Sequence, residues 1–173
     1  MAQSYCHLLY HAVFSTQYRR PWLASEIRPR IHQYLGGLIN ARKGVPIIIN
    51  GTMDHVHLMM RLHQTSVIAD VLRDIKAVSS GWVHDTFPGM REFAWQGGNG
   101  VFTVSASGFK KLHQYIENQE EHHKTMSFET EFKALLSAHG IPFDQRYLFE
   151  DESNDAVMIG KPQADFRPPP SEA

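Results

Sequence analysis

A single cysteine, Cys6, occurs in 173 residues, so no disulfide can close within the chain and no cysteine-based zinc site can be assembled. Any metal must be held by nitrogen and oxygen donors. There is no run of about 18 apolar residues of the kind that spans a membrane, and no succession of basic, apolar and small residues resembling a secretory leader. A soluble, cytoplasmic protein with no membrane partner is therefore expected. A strong excess of one charge is also missing. The net charge is −1, too little for nucleic-acid binding by bulk electrostatics alone. The balance is uneven along the chain. Residues 1–140 carry 14 Lys and Arg against 11 Asp and Glu, a balance of +3, whereas 141–173 carry 3 against 7, a balance of −4.

Histidine is well represented, with 11 copies, and two of them organise the reading. Asp54-His55-Val56-His57-Leu58-Met59-Met60 alternates as a strand does. Val56, Leu58 and Met60 fall on one side and His55, His57 and Met59 on the other. The apolar set can face a core, which leaves two imidazoles side by side on a stiff scaffold. Such a pair begins a metal site and needs at least a third ligand. A His-hydrophobic-His triplet is a common accident in a chain this rich in histidine, so the rest of the sequence must supply the other parts.

Residues Tyr5 to Thr16 alternate as a strand with both faces fairly apolar, which places it centrally in a sheet. Tyr18-Arg19-Arg20-Pro21 breaks the pattern with two adjacent cations. A helix follows with Ile27, Ile31, Tyr34, Leu35 and Leu38 on one face, ending at Lys43-Gly44. Val45 to Met53 is rich in β-branched residues and pairs with the histidine strand as a hairpin. Gln64-Thr65-Ser66 then caps a long helix with Ile68, Val71, Leu72, Ile75 and Trp82 at helical spacing. A Gly-rich passage from Trp95 to Gly100 leads into a short strand, Val101 to Ser105. The third helix spans about 108–122 with Ser107 as N-cap, and Tyr115 and Gln119 stack one turn apart at the margin of its apolar stripe. A further helix covers about 128–139, capped by Ser127, with Phe128, Phe132, Leu135 and Leu136 inward. Residues 1–149 read as one domain and 150–173 as an acidic, Pro-rich, loosely packed tail.

The order strand, helix, strand, strand, helix, strand is that of an α+β, ferredoxin-like (RRM-like) antiparallel sheet, β-α-β-β-α-β, with an additional helix carrying the tyrosine. The two long helices cover the apolar face of the histidine strand. The third helix is free to cross the other face and bring Tyr115 and Gln119 to the imidazoles. His55, His57 and the amide oxygen of Gln119 would then offer three donors of mixed type, suited to Mg²⁺ or Mn²⁺. Tyr115 would stand beside the cation as a nucleophile toward a phosphodiester. His7 and His11 share the open face as possible supporting groups, although edge or core positions are the commoner outcome. His122 and His123 are expected at the surface.

These features, taken in order, resemble the single-tyrosine HUH transposases of bacterial and archaeal insertion sequences. The resemblance rests on Tyr18-Arg19-Arg20-Pro21, Asp54-His55-Val56-His57, Trp95-Gln96 followed by Gly100 to Ser105, and Tyr115-Ile116-Glu117-Asn118-Gln119. It implies a transposase that cleaves and rejoins single-stranded DNA at hairpin-bearing element ends through a 5′-phosphotyrosine link. His55, His57 and Gln119 would be the metal ligands and Tyr115 the nucleophile. It further implies a homodimer in which the tyrosine helix can act in trans, with the Gly-rich passage as hinge. Arg19, Arg20 and Lys76 are the expected phosphate contacts. Two other readings use the same residues: a non-catalytic single-stranded nucleic-acid-binding module, and a metal-dependent nuclease in which activated water attacks. The first usually stacks bases on exposed sheet aromatics, where this chain has His55, His57 and Met59.

Overall fold

Val56, Leu58 and Met60 alternate with His55, His57 and Met59 along β3 (His55–Arg61), and all six are buried. A strand buried on both faces needs cover on both, and the rest of the fold supplies it. The computed structural model describes residues 2–149; the expected tail, 150–173, lies outside the described residues. Around β3 are β1 (Leu9–Ser15), α1 (Arg28–Ala41), β2 (Val45–Gly51), α2 (Ile68–Thr86), β4 (Gly100–Thr103), α3 (Phe109–Glu117), α4 (Gln119–His122) and α5 (Phe128–Ala138). The sheet is antiparallel throughout, in the order β2-β3-β1-β4. The first and third strands are central, as the succession of elements predicts, and the architecture is the expected α+β sandwich of helices on an open sheet.

One face holds the main core. Ala12, Phe14, Val56, Leu58 and Met60 from the strands pack against Ile31, Leu35 and Ile39 of α1 and Val71, Leu72 and Ile75 of α2. Phe93 and Trp95 extend this cluster, with Trp95 edge-on to Phe14 at 4.9 Å between ring centres. The passage after Trp95, read from sequence as a hinge, is tied down at both sides. Gln96 Oε1 accepts from the Ser15 amide at 2.6 Å, and Lys76 Nζ donates to the carbonyls of Gln96, Gly97 and Gly98 at 3.0–3.1 Å.

The opposite face is covered by two smaller clusters. Leu9, Met59 and Ile116 join α3 to the sheet, while Val13 and Phe102 pack against Phe128, Phe132 and Leu136 of α5. Asn50 on β2 donates to the carbonyls of Ile116 and Glu117 at 2.9 and 3.0 Å. It thereby satisfies orphan acceptors at the C-terminus of α3 and sets the height of that helix over β3.

Several local expectations are revised. The first strand begins at Leu9 rather than Tyr5, because the exposed residues before it have no neighbouring strand to pair with. Helix α1 begins at Arg28 with proline in its first turn, well beyond Pro21. Ser66 does not cap α2, whose N-cap is Val67 with no side-chain bond. Ser107 does not cap α3 either; Ser105 accepts from the Gly108 amide and caps a 3-10 turn that precedes the helix. The helix expected at 108–122 is broken at Asn118, where φ −95° and ψ 24° separate α3 from α4. Ser127 does cap α5, accepting from the Thr130 amide at 3.2 Å.

Gly81 lies within α2, and a methyl group on its Cα would meet nothing within 4 Å. A Gly81→Ala exchange removes unfolded-state freedom without steric conflict and is expected to stabilise the protein by about 1 kcal/mol. A urea midpoint unchanged or lowered in this variant would contradict that.

Candidate metal and tyrosine centre

The site is built where β3, α3, α4 and α5 meet. β3 delivers His55 and His57, both fully buried, with ring centres 5.2 Å apart. Each imidazole has one nitrogen engaged on the side away from the centre. His55 Nδ1 donates to Asp54 Oδ1 at 2.7 Å, and His57 Nδ1 lies 2.8 Å from Nε2 of the buried His11. A carboxylate behind an imidazole fixes its tautomer and leaves the Nε2 lone pair facing forward. His11, expected either to support the pair or to take an edge or core position, is buried and within hydrogen-bonding distance of His57.

The segment following the Asn118 break adds Gln119, which is fully buried. Its Nε2 donates to Glu131 Oε1 at 3.2 Å, which turns Oε1 toward His55 Nε2 at 3.1 Å. His55 Nδ1 is engaged by Asp54, so Nε2 is the nitrogen that meets the amide oxygen. An imidazole nitrogen and an amide oxygen held side by side are both atoms that a divalent cation can bind. Tyr115 stands one turn before Gln119, its ring 5.9 Å from that of His57, and its hydroxyl donates to Glu131 Oε1. Tyr115 and Gln119 thus converge on the histidine pair as their spacing predicts, despite the break in the helix.

Glu131 and His123 are the residues that sequence reasoning missed. Glu131, on α5, has a side chain only 2% exposed, and His123, expected at the surface, is 10% exposed. His123 Nδ1 donates to the Met126 carbonyl at 2.6 Å and its Nε2 faces Glu131 Oε2. His57 Nε2 lies 3.0 Å from Glu131 Oε1. Yet His57 Nε2, His123 Nε2 and Glu131 Oε2 are all buried without a hydrogen-bond partner of acceptable geometry. One signal was available: Glu131 falls three residues after Phe128 and four before Leu135, placing a carboxylate on the apolar face of its helix. Buried carboxylates need cations or donors, so such a position asks for a partner.

The electrostatics follow from this crowding. Burial pushes the His57 pKa down to about 4, and burial with the neighbouring His57 takes His11 to about 3, so both are neutral imidazoles. Burial alone would raise Glu131, but the close His123 and His57 rings outweigh it and hold the carboxyl well below its usual range, and the same carboxylate pushes His123 up against its own burial. Burial and the Glu131 carboxylate push the Tyr115 hydroxyl far above the ordinary phenol value. His55, His57, His123 and Glu131 each offer one ligand atom, all within 4.8 Å of one another. This donor set can hold a metal ion.

Access to Tyr115 is through a cleft of about 430 Å³ between β4, α3 and α5, lined among others by His11, Phe102, Lys111 and His139. Of the expected phosphate contacts, Arg19 lies in a separate cleft with Arg28 and His123, its guanidinium 4.5 Å from the centre of the Phe149 ring. Arg20 pairs with Glu92 at 3.8 Å. Lys76 holds the carbonyls of the Gly-rich passage and lines a third cleft with Arg73 and Asn99. The three cations therefore do not converge on the tyrosine.

The fold, an open four-stranded antiparallel sheet with helices, is similar to that of solved transposase structures. A candidate transposase from Deinococcus radiodurans R1 superposes with a TM-score of 0.55 at 26% identity, over 69% of this chain and 96% of that one. A REP-associated tyrosine transposase bound to a REP hairpin superposes with the same TM-score at 13% identity, over 71% and 73% of the two chains, a likeness of fold. No curated protein matches the sequence. Residues 4–119 match the family described as Transposase IS200 like, and the chain belongs to that family. It is accordingly a transposase, a DNA-processing enzyme. No helix among the described residues is long and apolar enough to cross a membrane.

Proposed function

We propose that this transposase cleaves and rejoins single-stranded DNA by nucleophilic attack of Tyr115, assisted by Mg²⁺ or Mn²⁺ held by His55, His57 and Gln119. The observation that carries the reading is the meeting of the Tyr115 hydroxyl with the forward-facing imidazole nitrogens around one buried carboxylate. A divalent ion bound there supplies positive charge that lowers the phenol pKa and draws charge from the non-bridging phosphate oxygens.

The protein's own groups account for the remaining chemistry. Tyr115 Oη forms a bond to phosphorus while the bond from phosphorus to the 3′ oxygen breaks, and the departing oxygen takes up a proton. The phenolic proton has its acceptor in place at Glu131 Oε1. The product is a 5′-phosphotyrosine link with a free 3′ hydroxyl. Because phenoxide is a good leaving group, attack by another 3′ hydroxyl restores a phosphodiester without an external energy source. His11 and Asp54 keep His57 and His55 in one tautomer, and Gln119 orients Glu131.

The DNA strand enters by the cleft beside Tyr115, where Lys111 stands at the rim. Arg19, Arg20 and Lys76 contact the backbone of DNA lying farther from the scissile bond. Recognition of hairpin-bearing element ends agrees with the hairpin-bound relative. Residues 1–149 act as the catalytic domain, in the cytoplasm, as a homodimer that can exchange tyrosine helices. The test is incubation of the protein with labelled single-stranded DNA from both flanks of its gene, with Mg²⁺ or Mn²⁺, followed by a denaturing gel. A metal-requiring adduct is expected. Cleavage without adduct would instead point to activated water, and binding without cleavage to a non-catalytic module.

Asp54→Ala removes the group that fixes His55 and should weaken metal binding by about 10–100-fold. A Mn²⁺ titration giving the wild-type dissociation constant would remove Asp54 from the site.

A further inference from the structure

We propose that Glu131 and His123 are ligands of the same metal as His55 and His57, making a three-imidazole, one-carboxylate centre that selects a divalent transition ion over Mg²⁺. The inference rests on the metal-assisted reading above and changes both its ligand set and its metal. Each of the three imidazoles has a partner at Nδ1: Asp54 Oδ1 for His55, His11 Nε2 for His57, and the Met126 carbonyl for His123. Two of those partners can only accept, so His55 and His123 donate from Nδ1, which leaves Nε2 as the nitrogen each turns to the centre. The Nε2 atoms all point inward, to the oxygens of Glu131 and Gln119.

Three imidazole nitrogens and a carboxylate brought together in a site shielded from water form a donor set that a divalent cation fits. Glu131 divides its two oxygens to suit. Oε1 receives the Tyr115 hydroxyl and the Gln119 amide, whereas Oε2 is buried and has no hydrogen-bond partner. His57 Nε2 and His123 Nε2 are in the same condition. The atoms that lack partners are thus the ones that a metal would take, and the ligand atoms of the four residues lie within 4.8 Å of one another. Gln119 Oε1 is left as a further oxygen donor beside His55.

The composition of the set determines the class of ion. Mg²⁺ prefers an octahedron of oxygens and keeps several waters, which a buried cluster of three imidazoles does not provide. Imidazole-rich sites favour first-row transition ions, with affinity rising from Mn²⁺ through Fe²⁺ and Co²⁺. Both added ligands lie beyond residue 119, where the family match ends. The segment from His123 to Glu131 therefore contributes to the metal centre as well as covering the sheet.

The test is a titration of chelator-stripped, full-length protein with Mn²⁺, followed by electron paramagnetic resonance, with Mg²⁺ as competitor. Wild type, Glu131→Gln, His123→Gln and His57→Ala are compared, and thermal melts without metal establish that each is folded. One Mn²⁺ per chain is expected, displaced by Mg²⁺ only at an excess of about 100-fold or more. Glu131→Gln and His123→Gln should each weaken Mn²⁺ binding by at least about 10-fold. Electron spin-echo modulation on the wild type should count three histidine nitrogens bound, a measurement that needs no variant to fold. Binding that falls in His57→Ala but is unchanged in both other variants, with two nitrogens counted, overturns this ligand set and leaves the proposed function standing. Absence of stoichiometric binding by the wild type overturns both.

Discussion

Tyr115→Phe is expected to lower the yield of covalent protein–DNA adduct by at least about 10⁴-fold, the order of loss that follows removal of a nucleophile. The substitution deletes one oxygen and keeps the ring, which packs beside His57 and at the edge of the cluster formed by Leu9, Met59 and Ile116. The packing contribution to stability should therefore change little. The hydrogen bond to Glu131 is lost, at a cost of about 1–3 kcal/mol, and the Gln119 amide remains as a donor to the same carboxylate. DNA binding should be retained, since the proposed backbone contacts, Arg19, Arg20 and Lys76, lie elsewhere. Denaturing gels with labelled strand, together with a mobility-shift assay on the same samples, separate the two effects. An adduct that persists in the phenylalanine variant would remove Tyr115 from the role of nucleophile. Loss of DNA binding in parallel with loss of adduct would assign it to recognition instead.

The second large effect is expected far from the reacting atoms. Gly51 closes the β2–β3 hairpin opposite Val56, and a methyl group there would lie 2.1 Å from the His55 carbonyl oxygen and 2.9 Å from Val56 Cα. Both neighbours are backbone, so no side-chain rotation relieves the clash. Gly51→Ala should cost about 3 kcal/mol or more, the upper end for overpacking, because the strand itself must shift. The same carbonyl region accepts from Thr52, and Arg28 Nη1 donates to the Gly51 carbonyl at 3.2 Å, so the displacement spreads to the base of α1. Since β3 carries His55 and His57 directly after this turn, the variant should also bind metal more weakly. Urea unfolding checks the first consequence and a Mn²⁺ titration the second. A midpoint equal to that of the wild type would mean that the hairpin relaxes without strain.

The contrast between these variants shows which features are written locally. Alternation along His55–Arg61, β-branched density in Val45–Gly51 and helical spacing in α1 and α2 each arise from one stretch of chain, because burial of one face imposes its period on the residues. Together they define the order of elements, the central place of β1 and β3, and the face on which the two histidines emerge. Tyr115 and Gln119 are likewise placed together by a four-residue spacing, which survives the break at Asn118. Cap assignments were less legible: Ser66 and Ser107 have the right chemistry, but the chain enters α2 through Val67 and α3 through a 3-10 turn. Several polar residues compete for each cap, and the path of the incoming loop chooses among them.

By itself, then, the sequence determined the strands and helices, the two faces of the histidine strand, the histidine pair and the pairing of Tyr115 with Gln119, since each depends on residues close in the chain. Only the tertiary structure decided what closes the site. His11 backs His57 across 46 residues, and Glu131 reaches His57 from a helix much farther along the chain, whose stripe looked merely apolar. His123 turns inward because the Met126 carbonyl takes its Nδ1 proton. Such contacts depend on how separate elements are stacked, and periodicity carries no information about that. The physical reason is the short reach of a buried ionic group: a carboxylate excluded from water is held by whichever cations and donors packing brings within about 3 Å.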